Sequence, residues 1–471
     1  MKKIGVICLL LCILFNMLTV FASASSLDAE RGSISDSNAC NGVDAGASLL
    51  GSGEIVENAV SIFMYDTETD TLVYEWNSDA KVPPSSLVKI MTAHLVLENG
   101  NLEDIVTVEE SVLSTLPAGV ASVFLQPGEK ISLKDLLYCM MVGSGNDAAA
   151  VMADHISGSQ EAFVQQMNTA AQAMGCTATH FVNVHGLHSD DQYTTARDVG
   201  RILREAMRNE TFRTIFSTVH YSVAATNKSA LRELSSGNFL MNTDSMEIYY
   251  DARVTGGRTG IANDGTTSLA ISAEGNGLKL ITILTGAVSE IASDGYTVEV
   301  FGGYSEMKTL LDHALNSYKV VQVLYEGQSL HQMNVIGGSN DVFLGPSRGV
   351  SAIIPSNKKL DDITFKMHAL QEVKAPIEQG QRLSYVEIWC NNLCVAQAEL
   401  FAINSVHPIG SDVNERGDRS NGVWKVVLQT FIWLLVIAAA GIVVFFSVPR
   451  IRGIILNRRN RKYRRSRRRN Q

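Results

Sequence analysis

The amino-acid sequence predicts an α+β protein, in which an antiparallel sheet carries helices on its faces and a helical subdomain. A small all-β domain and a C-terminal transmembrane helix are predicted to follow. Strand-like runs flank a long, mostly helical middle section, which is typical of an α+β domain. The segments after residue 318 are short and β-like, and one 23-residue apolar run lies near the C-terminus. With 471 residues, 46% of them hydrophobic, the chain can bury a large core and hold more than one domain.

The N-terminal segment predicts export. Residues 1–24 contain two lysines, an apolar run and a small-x-small triplet, which together form the pattern of a signal peptide cleaved after Ala24. Residues 25–52 are rich in Ser, Gly, Ala and Asp without periodicity, and we expect a flexible leader there.

The C-terminal segment predicts a membrane anchor. Residues 426–448 are apolar over a length that can cross a bilayer, which needs about 20 residues. The tail at 449–471 has eleven basic residues and no acidic ones. The positive-inside rule therefore predicts a single-pass protein of the cell membrane, with a cytoplasmic tail that contacts anionic lipid and with the rest of the chain outside. Because the net charge is −9 despite this tail, the exterior part is acidic, which argues against a nucleic-acid partner.

The region at 53–318 begins with a predicted hairpin. Residues 59–65 and 71–76 have strand-like composition, and the polar residues 66–70 join them. Apolar residues then recur with helical spacing over 89–98, which predicts the first helix directly after the hairpin.

The middle of this region is predicted to be helical, and its end to be a sheet. Helical spacing extends over 133–174, interrupted by the glycines of a loop at 143–146, and returns over 194–207. Strand-like runs are predicted at 249–254, 267–273 and 278–285, and a helix is predicted to end at 312–318.

A small β domain is predicted at 319–403, connected to the membrane span by a linker at 404–425. Its composition changes to short β segments separated by polar turns. The segments are 320–325, 342–344, 364–369, 383–389 and 395–403.

Ser86 and Lys89 are the candidate nucleophile and base. Two prolines upstream place a helix start near Ser86, and a lysine three residues later lies on the same helical face, where it can accept the serine proton. The Ser-x-x-Lys pattern alone is weak, because it also occurs at Ser78, Ser305 and Ser356. We interpret these three matches as solvated surface residues.

Two further motifs follow in the order expected for one class of serine acyltransferase. Ser144-Gly145-Asn146 lies in the interhelical loop, and Arg258-Thr259-Gly260 lies beside strand-like residues. They are similar to the Ser-Asp-Asn and Lys-Thr-Gly elements that accompany Ser-x-x-Lys in penicillin-recognising enzymes. The Ser-Gly-Asn pattern occurs a second time, at Ser236-Gly237-Asn238. This match lies in a polar stretch without flanking apolar helices, and we interpret it as a decoy, that is, a match without a catalytic role.

Longer segments strengthen this resemblance. Residues 79–92, 123–129, 144–149, 181–187 and 193–198 resemble the low-molecular-mass penicillin-binding proteins that are D-alanyl-D-alanine carboxypeptidases. The similarity covers residues 55–318, and the β domain after it also fits this family. The resemblance implies a β-lactamase/transpeptidase-like domain at 53–318 that hydrolyses a peptidoglycan stem peptide ending in D-Ala-D-Ala, is acylated by penicillins and needs no cofactor or metal.

The resemblance also implies roles for individual residues. Ser86 would attack the carbonyl between the two D-alanines, and Lys89 would be its base. Ser144 would relay a proton to the leaving amine, and Asn146 would orient Lys89 and the substrate amide. The substrate-binding residues would be Arg258, Thr259, Gly260 and Ile261, with the N–H groups of Ser86 and Ile261 forming the oxyanion hole.

One departure from the family leaves alternatives open. The family usually has lysine where this chain has Arg258, and arginine can grip a terminal carboxylate but cannot lose a proton. A non-catalytic peptidoglycan-binding scaffold and a D,D-endopeptidase of the superfamily are therefore the alternatives to a carboxypeptidase. A β-lactamase is disfavoured, since the chain has no Glu-x-x-Leu-Asn stretch to supply the deacylating carboxylate.

Cysteine and histidine patterns predict structural roles only. Cys390 and Cys394 flank a predicted hairpin turn, and the sequence leaves open whether they form a disulfide. Cys139 lies on an apolar helix and is expected in the core. The spacing of His185 and His188 matches no zinc signature, so we expect a structural turn there.

Overall fold

A computed structural model describes residues 49–51, 53–244, 246–291, 298–369 and 372–410. The predicted signal peptide, most of the leader and linker, the membrane span and the basic tail lie outside the described residues. Within the described ranges, no helix is long and apolar enough to cross a membrane.

A five-stranded antiparallel sheet forms the centre of the first region, with the strand order β2-β1-β9-β8-β7. The chain therefore leaves the sheet after the first hairpin and returns to it later, so that β7 is an edge strand. The strands up to residue 300 are β1 (Ser61–Asp66), β2 (Thr71–Trp76), β3 (Ile105–Thr107), β4 (Lys130–Ser132), β5 (His220–Val223), β6 (Arg232–Ser235), β7 (Val254–Ile261), β8 (Thr267–Gly275), β9 (Leu278–Ala287), β10 (Glu290–Ile291) and β11 (Val298–Val300).

Helices cover both faces of this sheet. Hydroxyl side chains cap several of them, since Ser132, Ser159 and Thr195 each accept a backbone N–H of the first turn. The helices are α1 (Val88–Asn99), α2 (Glu110–Leu113), α3 (Leu133–Met141), α4 (Asn146–Ser157), α5 (Gln160–Ala173), α6 (Ala196–Ala206), α7 (Glu210–Phe216) and α8 (Tyr304–Ser317).

Two hydrophobic cores lie on opposite faces of the sheet. Phe63 and Tyr65 of β1 pack in the larger core with α1 and the helical subdomain, whereas Ile62 and Met64 pack in the smaller core with α8. This alternation follows the two-residue period of a strand. Both faces of the sheet are therefore buried, and the cleft forms at its exposed β7 edge.

The C-terminal region is β-rich. Contacts divide the described residues into two units. The first contains the described residues up to 326 together with 348–368 and 385–398, and the second contains 327–347, the described residues of 369–384, and 399–410. The strands of the C-terminal region are β12 (Tyr318–Leu324), β13 (His331–Met333), β14 (Val335–Ile336), β15 (Val342–Gly345), β16 (Val350–Pro355), β17 (Ile363–Ala369), β18 (Val373–Lys374), β19 (Arg382–Cys390) and β20 (Leu393–Ala402). In the first unit β12 pairs with β16, and in the second β13 pairs with β15 and β14 with β18.

The structure corrects one predicted strand and answers one question that the sequence left open. The strand predicted at 249–254 is a 3-10 turn over Glu247–Tyr249 followed by a loop, and the strand begins only at Val254. The aromatic residues at 249 and 250 gave this segment its strand-like composition, but Tyr249 packs in the smaller core instead. The sequence left open whether Cys390 and Cys394 form a disulfide, and the structure shows that they do not, because Cys390 is a free, buried thiol while Cys394 is disulfide-bonded.

Candidate active site

Ser86 lies on a sharply turned segment at the start of α1. Pro84 precedes a 3-10 turn over Ser85–Leu87, which runs directly into the α-helix. Ser85 has a φ of 45°, in the left-handed region that residues other than glycine rarely occupy. Ser86 is half-buried at the cleft, and Lys89 follows one helical turn later.

Two glycines from distant segments make room for this turn. A Cβ on Gly186 would lie 1.9 Å from the Ser85 carbonyl oxygen, and the φ of Gly186 is 89°. A Cβ on Gly260 of β7 would lie 2.2 Å from the Ser85 hydroxyl and 3.1 Å from the Ser86 nitrogen. Glycine at both positions therefore permits the close approach that fixes Ser85 and Ser86 between β7 and the loop at 186.

The amine of Lys89 is fully buried and meets three oxygen atoms. Nζ lies 3.4 Å from Ser86 Oγ, 2.6 Å from Asn146 Oδ1 and 2.8 Å from the carbonyl oxygen of His185. The first is a hydroxyl, whereas the other two can only accept hydrogen bonds. The structure thus brings Ser86, Lys89 and Asn146 into one hydrogen-bonded group.

The electrostatics of this group favour an uncharged lysine. Burial lowers the pKa of Lys89 well below its ordinary value, the positive charge of Arg258 lowers it further, and Asp147 opposes them. Burial, together with the charge of Lys89, also lowers the pKa of His185 to about 4. His185 is therefore neutral at pH 7, and since its Nδ1 accepts the Leu187 N–H at 3.2 Å, its hydrogen lies on Nε2.

Ser144 and Asn146 lie where α3 ends and α4 begins. Ser144 has a φ of 63°, which turns the chain sharply between the two buried helices. Asn146 is the first residue of α4, and its backbone N–H donates to the Ala121 carbonyl oxygen at 2.9 Å. The carboxylate of the next residue, Asp147, accepts the Leu125 N–H at 3.0 Å. The segment that contains Ala121 and Leu125 therefore fixes the start of α4 through two hydrogen bonds.

Arg258 connects three segments of the site. From β7 its guanidinium donates to the Met141 carbonyl oxygen at 2.8 Å, to Ser144 Oγ at 2.5 Å and, more weakly, to the Ser86 carbonyl oxygen at 3.5 Å. Its side chain is buried, which lowers the pKa of Arg258 to about 10. The group remains charged at neutral pH and orients Ser144 so that its hydroxyl hydrogen is free for another acceptor.

The other predicted binding residues follow Arg258 along the same edge strand. Thr259 is half-buried, Gly260 is buried against Ser85, and the side chain of Ile261 is 64% exposed. Thr259 Oγ1 lies 3.2 Å from the phenol oxygen of Tyr304 on α8. An edge strand has unpaired backbone groups, to which an extended peptide can add as a further strand.

A cleft of about 440 Å³ brings these parts together. Its lining includes six of the eight predicted site residues, whereas Lys89 lies beneath the surface and reaches the cleft through Ser86 and Asn146. The lining from the predicted residues is Ser86, Ser144, Asn146, Arg258, Thr259 and Ile261, with Gly260 packed behind Ser85.

Sequence reasoning missed several residues of this cleft. The segment at 236–238, interpreted as a decoy, forms a wall of the cleft, although it is Asn146 that contacts Lys89. His185 also lines the cleft, and its carbonyl oxygen is a lysine partner that no side-chain pattern could reveal. His188 lines the cleft as well and pairs with Asp190. In the described part of the chain no three His, Cys, Asp or Glu side chains form a metal-binding group.

The fold and the site define an acyl-transfer class. A serine with a buried lysine one turn away, a Ser-x-Asn loop between two helices and an Arg-Thr-Gly edge strand are together the arrangement of penicillin-recognising serine acyltransferases. The sequence comparison narrows this class. The chain belongs to the D-alanyl-D-alanine carboxypeptidase family, which it matches over residues 53–289, and residues 318–408 match the C-terminal domain of penicillin-binding protein 5.

Relatives support both assignments. The chain is 26% identical to D-alanyl-D-alanine carboxypeptidase DacF of Bacillus subtilis, over 76% of this chain and 88% of that protein. It is 32% identical to a D-alanyl-D-alanine carboxypeptidase of a Streptomyces species, over 49% of this chain and 81% of that protein. The crystal structure of penicillin-binding protein 5 from Haemophilus influenzae superposes with a TM-score of 0.63 at 26% identity, covering 76% of this chain and all of that one.

Proposed function

We propose that this protein is a serine-type D-Ala-D-Ala carboxypeptidase that removes the terminal D-alanine from peptidoglycan stem peptides. The observation that carries the proposal is the environment of the Lys89 amine. A neutral amine has two hydrogens and one lone pair, and Asn146 Oδ1 and the His185 carbonyl oxygen can only accept hydrogens. The lone pair is then left for Ser86 Oγ, so the amine is oriented to take the serine proton.

The proposed reaction has two steps. Ser86 Oγ attacks the carbonyl carbon between the two D-alanines while its proton passes to Lys89 Nζ. The C–N bond then breaks, and the leaving amine takes a proton through the Ser144 hydroxyl. Water afterwards attacks the ester on Ser86, and the shortened peptide leaves as a carboxylic acid. Penicillins would acylate the same serine: Ser86 Oγ would attack the β-lactam carbonyl carbon, and the ring C–N bond would break with the nitrogen as the leaving group.

Binding would use the β7 edge. A stem peptide lying along this strand would place its scissile carbonyl near the N–H groups of Ser86 and Ile261, which would stabilise the oxyanion. Its terminal carboxylate would face Arg258 and Thr259. Because Arg258 already donates to Met141 and Ser144, we assign it the role of a fixed positive charge that attracts the carboxylate, and no proton transfer.

We also propose that the protein works outside the cell at the membrane. The signal-like segment at 1–24, the apolar run at 426–448 and the basic tail at 449–471 support this location. The substrate, a component of the cell wall, is on the same side.

The test measures D-alanine release from a peptide ending in D-Ala-D-Ala, with the full-length chain in detergent. We expect release by the wild type and a loss of at least about 1,000-fold in the Ser86→Ala variant, since the nucleophile is absent. Ser305→Ala is the matched control, because Ser305 has the same Ser-x-x-Lys pattern but is exposed on α8.

The alternatives give different results. If the wild type releases no D-alanine but penicillin labels Ser86, the site is acylated without carboxypeptidase turnover. If penicillin labels nothing, a non-catalytic scaffold is the better interpretation. Cleavage of a cross-linked peptide without D-alanine release would identify an endopeptidase.

A further inference from the structure

Tyr304 joins two walls of the cleft from beneath its surface. It is the first residue of α8 and is 2% exposed, with its ring packed on Phe239 at 5.0 Å and Tyr249 at 5.2 Å. Its phenol oxygen lies 3.2 Å from Thr259 Oγ1 and 3.3 Å from the carbonyl oxygen of Gly237. Thr259 and Gly237 both line the cleft.

The hydrogens of this group can be counted. Burial raises the pKa of Tyr304, so the phenol is protonated at neutral pH and has a single hydrogen to donate. The Gly237 carbonyl oxygen can only accept, and it therefore takes the Tyr304 hydrogen. The hydrogen bond between the two hydroxyls then has Thr259 as its donor.

This direction has a consequence for an anionic ligand. With its hydrogen turned toward Tyr304, Thr259 presents only oxygen lone pairs to the cleft. A substrate carboxylate also carries lone pairs, so the two groups would repel each other. Binding therefore requires Thr259 to turn its hydrogen toward the carboxylate.

We propose that Tyr304 is a positioning residue that reverses the hydrogen bond to Thr259 when a substrate carboxylate binds. The Tyr304 hydroxyl rotates so that its hydrogen points to Thr259 Oγ1 and no longer to the Gly237 carbonyl oxygen. The Thr259 hydroxyl rotates so that its hydrogen points to the carboxylate. The resulting chain from phenol to hydroxyl to carboxylate is cooperative, because each donor is strengthened by the one behind it. Tyr304 would thereby favour substrates that end in a free carboxylate. The inference rests on the proposed function, which supplies such a substrate.

The experiment compares a D-Ala-D-Ala peptide with the same peptide ending in a carboxamide. For Tyr304→Phe, which keeps the ring, we expect kcat/KM for the free acid to fall about tenfold, mainly through KM, and that for the amide to stay within about twofold. Acylation of Ser86 by benzylpenicillin and by its methyl ester provides a second pair of the same kind. In Thr259→Val, the further change Tyr304→Phe should have no additional effect on either pair.

Tyr249→Phe is the matched control. This neighbouring phenol is also buried, but it accepts the Phe301 N–H at 3.0 Å and does not reach the cleft. The inference is overturned if Tyr304→Phe slows acid and amide equally, as a purely structural role would, or if its effect adds to that of Thr259→Val. A wild type that acylates with penicillin but releases no D-alanine contradicts only the proposed function, and the penicillin pair then decides on Tyr304. A wild type that reacts with neither contradicts both.

Discussion

Arg258 and Lys89 affect each other through their charges although they belong to different segments. In the proposed mechanism Lys89 is a base only when it is neutral, so acylation should increase with pH as the ammonium loses its proton. Because the charge of Arg258 lowers the pKa of Lys89, this increase should occur at lower pH than the ordinary lysine value would allow. In the proposed mechanism, an arginine at this position would therefore serve the base as well as the substrate.

The Arg258→Gln variant should therefore shift the pH profile of penicillin acylation toward higher pH. Loss of the positive charge raises the pKa of Lys89, while loss of the contacts to Ser144 and Met141 lowers only the plateau. Stopped-flow rates between pH 5 and 10 measure both quantities. Arg208→Gln is the control, since Arg208 is exposed and pairs with Glu205. An unchanged midpoint in Arg258→Gln would contradict the coupling.

At the level of elements, the 3-10 turn over Ser85–Leu87 depends on the loop that contains Gly186. We expect Gly186→Ala to lower the free energy of unfolding by about 3 kcal/mol or more, because the new Cβ meets a backbone oxygen and the φ of 89° is unfavourable for alanine. Gly158→Ala is the matched control. Gly158 has a φ of 76° with no atom near its Cβ, so it should lose only about 1 kcal/mol.

Urea denaturation measures this difference, and the acylation rate shows whether Ser86 moves. In buffer at pH 7 without urea, where most molecules are still folded, Gly186→Ala should slow acylation. Gly158→Ala should leave the acylation rate unchanged. Equal losses of stability in the two variants would show that the contact with Ser85 is unimportant.

The elements also show what the sequence could and could not predict. Helical spacing located α1, α3, α4 and α6 because each buries an apolar face with the period of a helix. Strand β7 escaped prediction over most of its length, since its glycines and arginine lack strand-like composition. Gly260 is the glycine that admits Ser85, and Arg258 is the arginine that contacts Ser144. Tyr304 could not be connected with Thr259, because only the packing of α8 brings the two together.

For the whole molecule, the sequence predicts a catalytic region held at the membrane by its C-terminus. A chain that ends at residue 423 lacks the apolar run and the basic tail, so it should appear in the soluble fraction, with kcat/KM within about twofold of the full chain. Fractionation of cells followed by the D-alanine assay measures both. Retention of this shortened chain in the membrane fraction would contradict the anchor, and a substitution of the tail arginines alone serves as the control for charge.

Several features of the site oppose the stability of the fold that contains it. Burial lowers the pKa of Lys89, so at pH values between this lowered pKa and 10.5 the folded chain binds fewer protons than the unfolded chain. The free energy of unfolding therefore increases with pH over this range, and the contribution of Lys89 to it is least favourable at the acidic end. Ser85 and Ser144 each hold a backbone conformation that costs a residue other than glycine about 1 kcal/mol. Laboratory evolution toward heat resistance, without selection for activity, should therefore accumulate its first substitutions around the nucleophile. A thermostable descendant obtained in that way would be a well-folded protein that no longer reacts with penicillin.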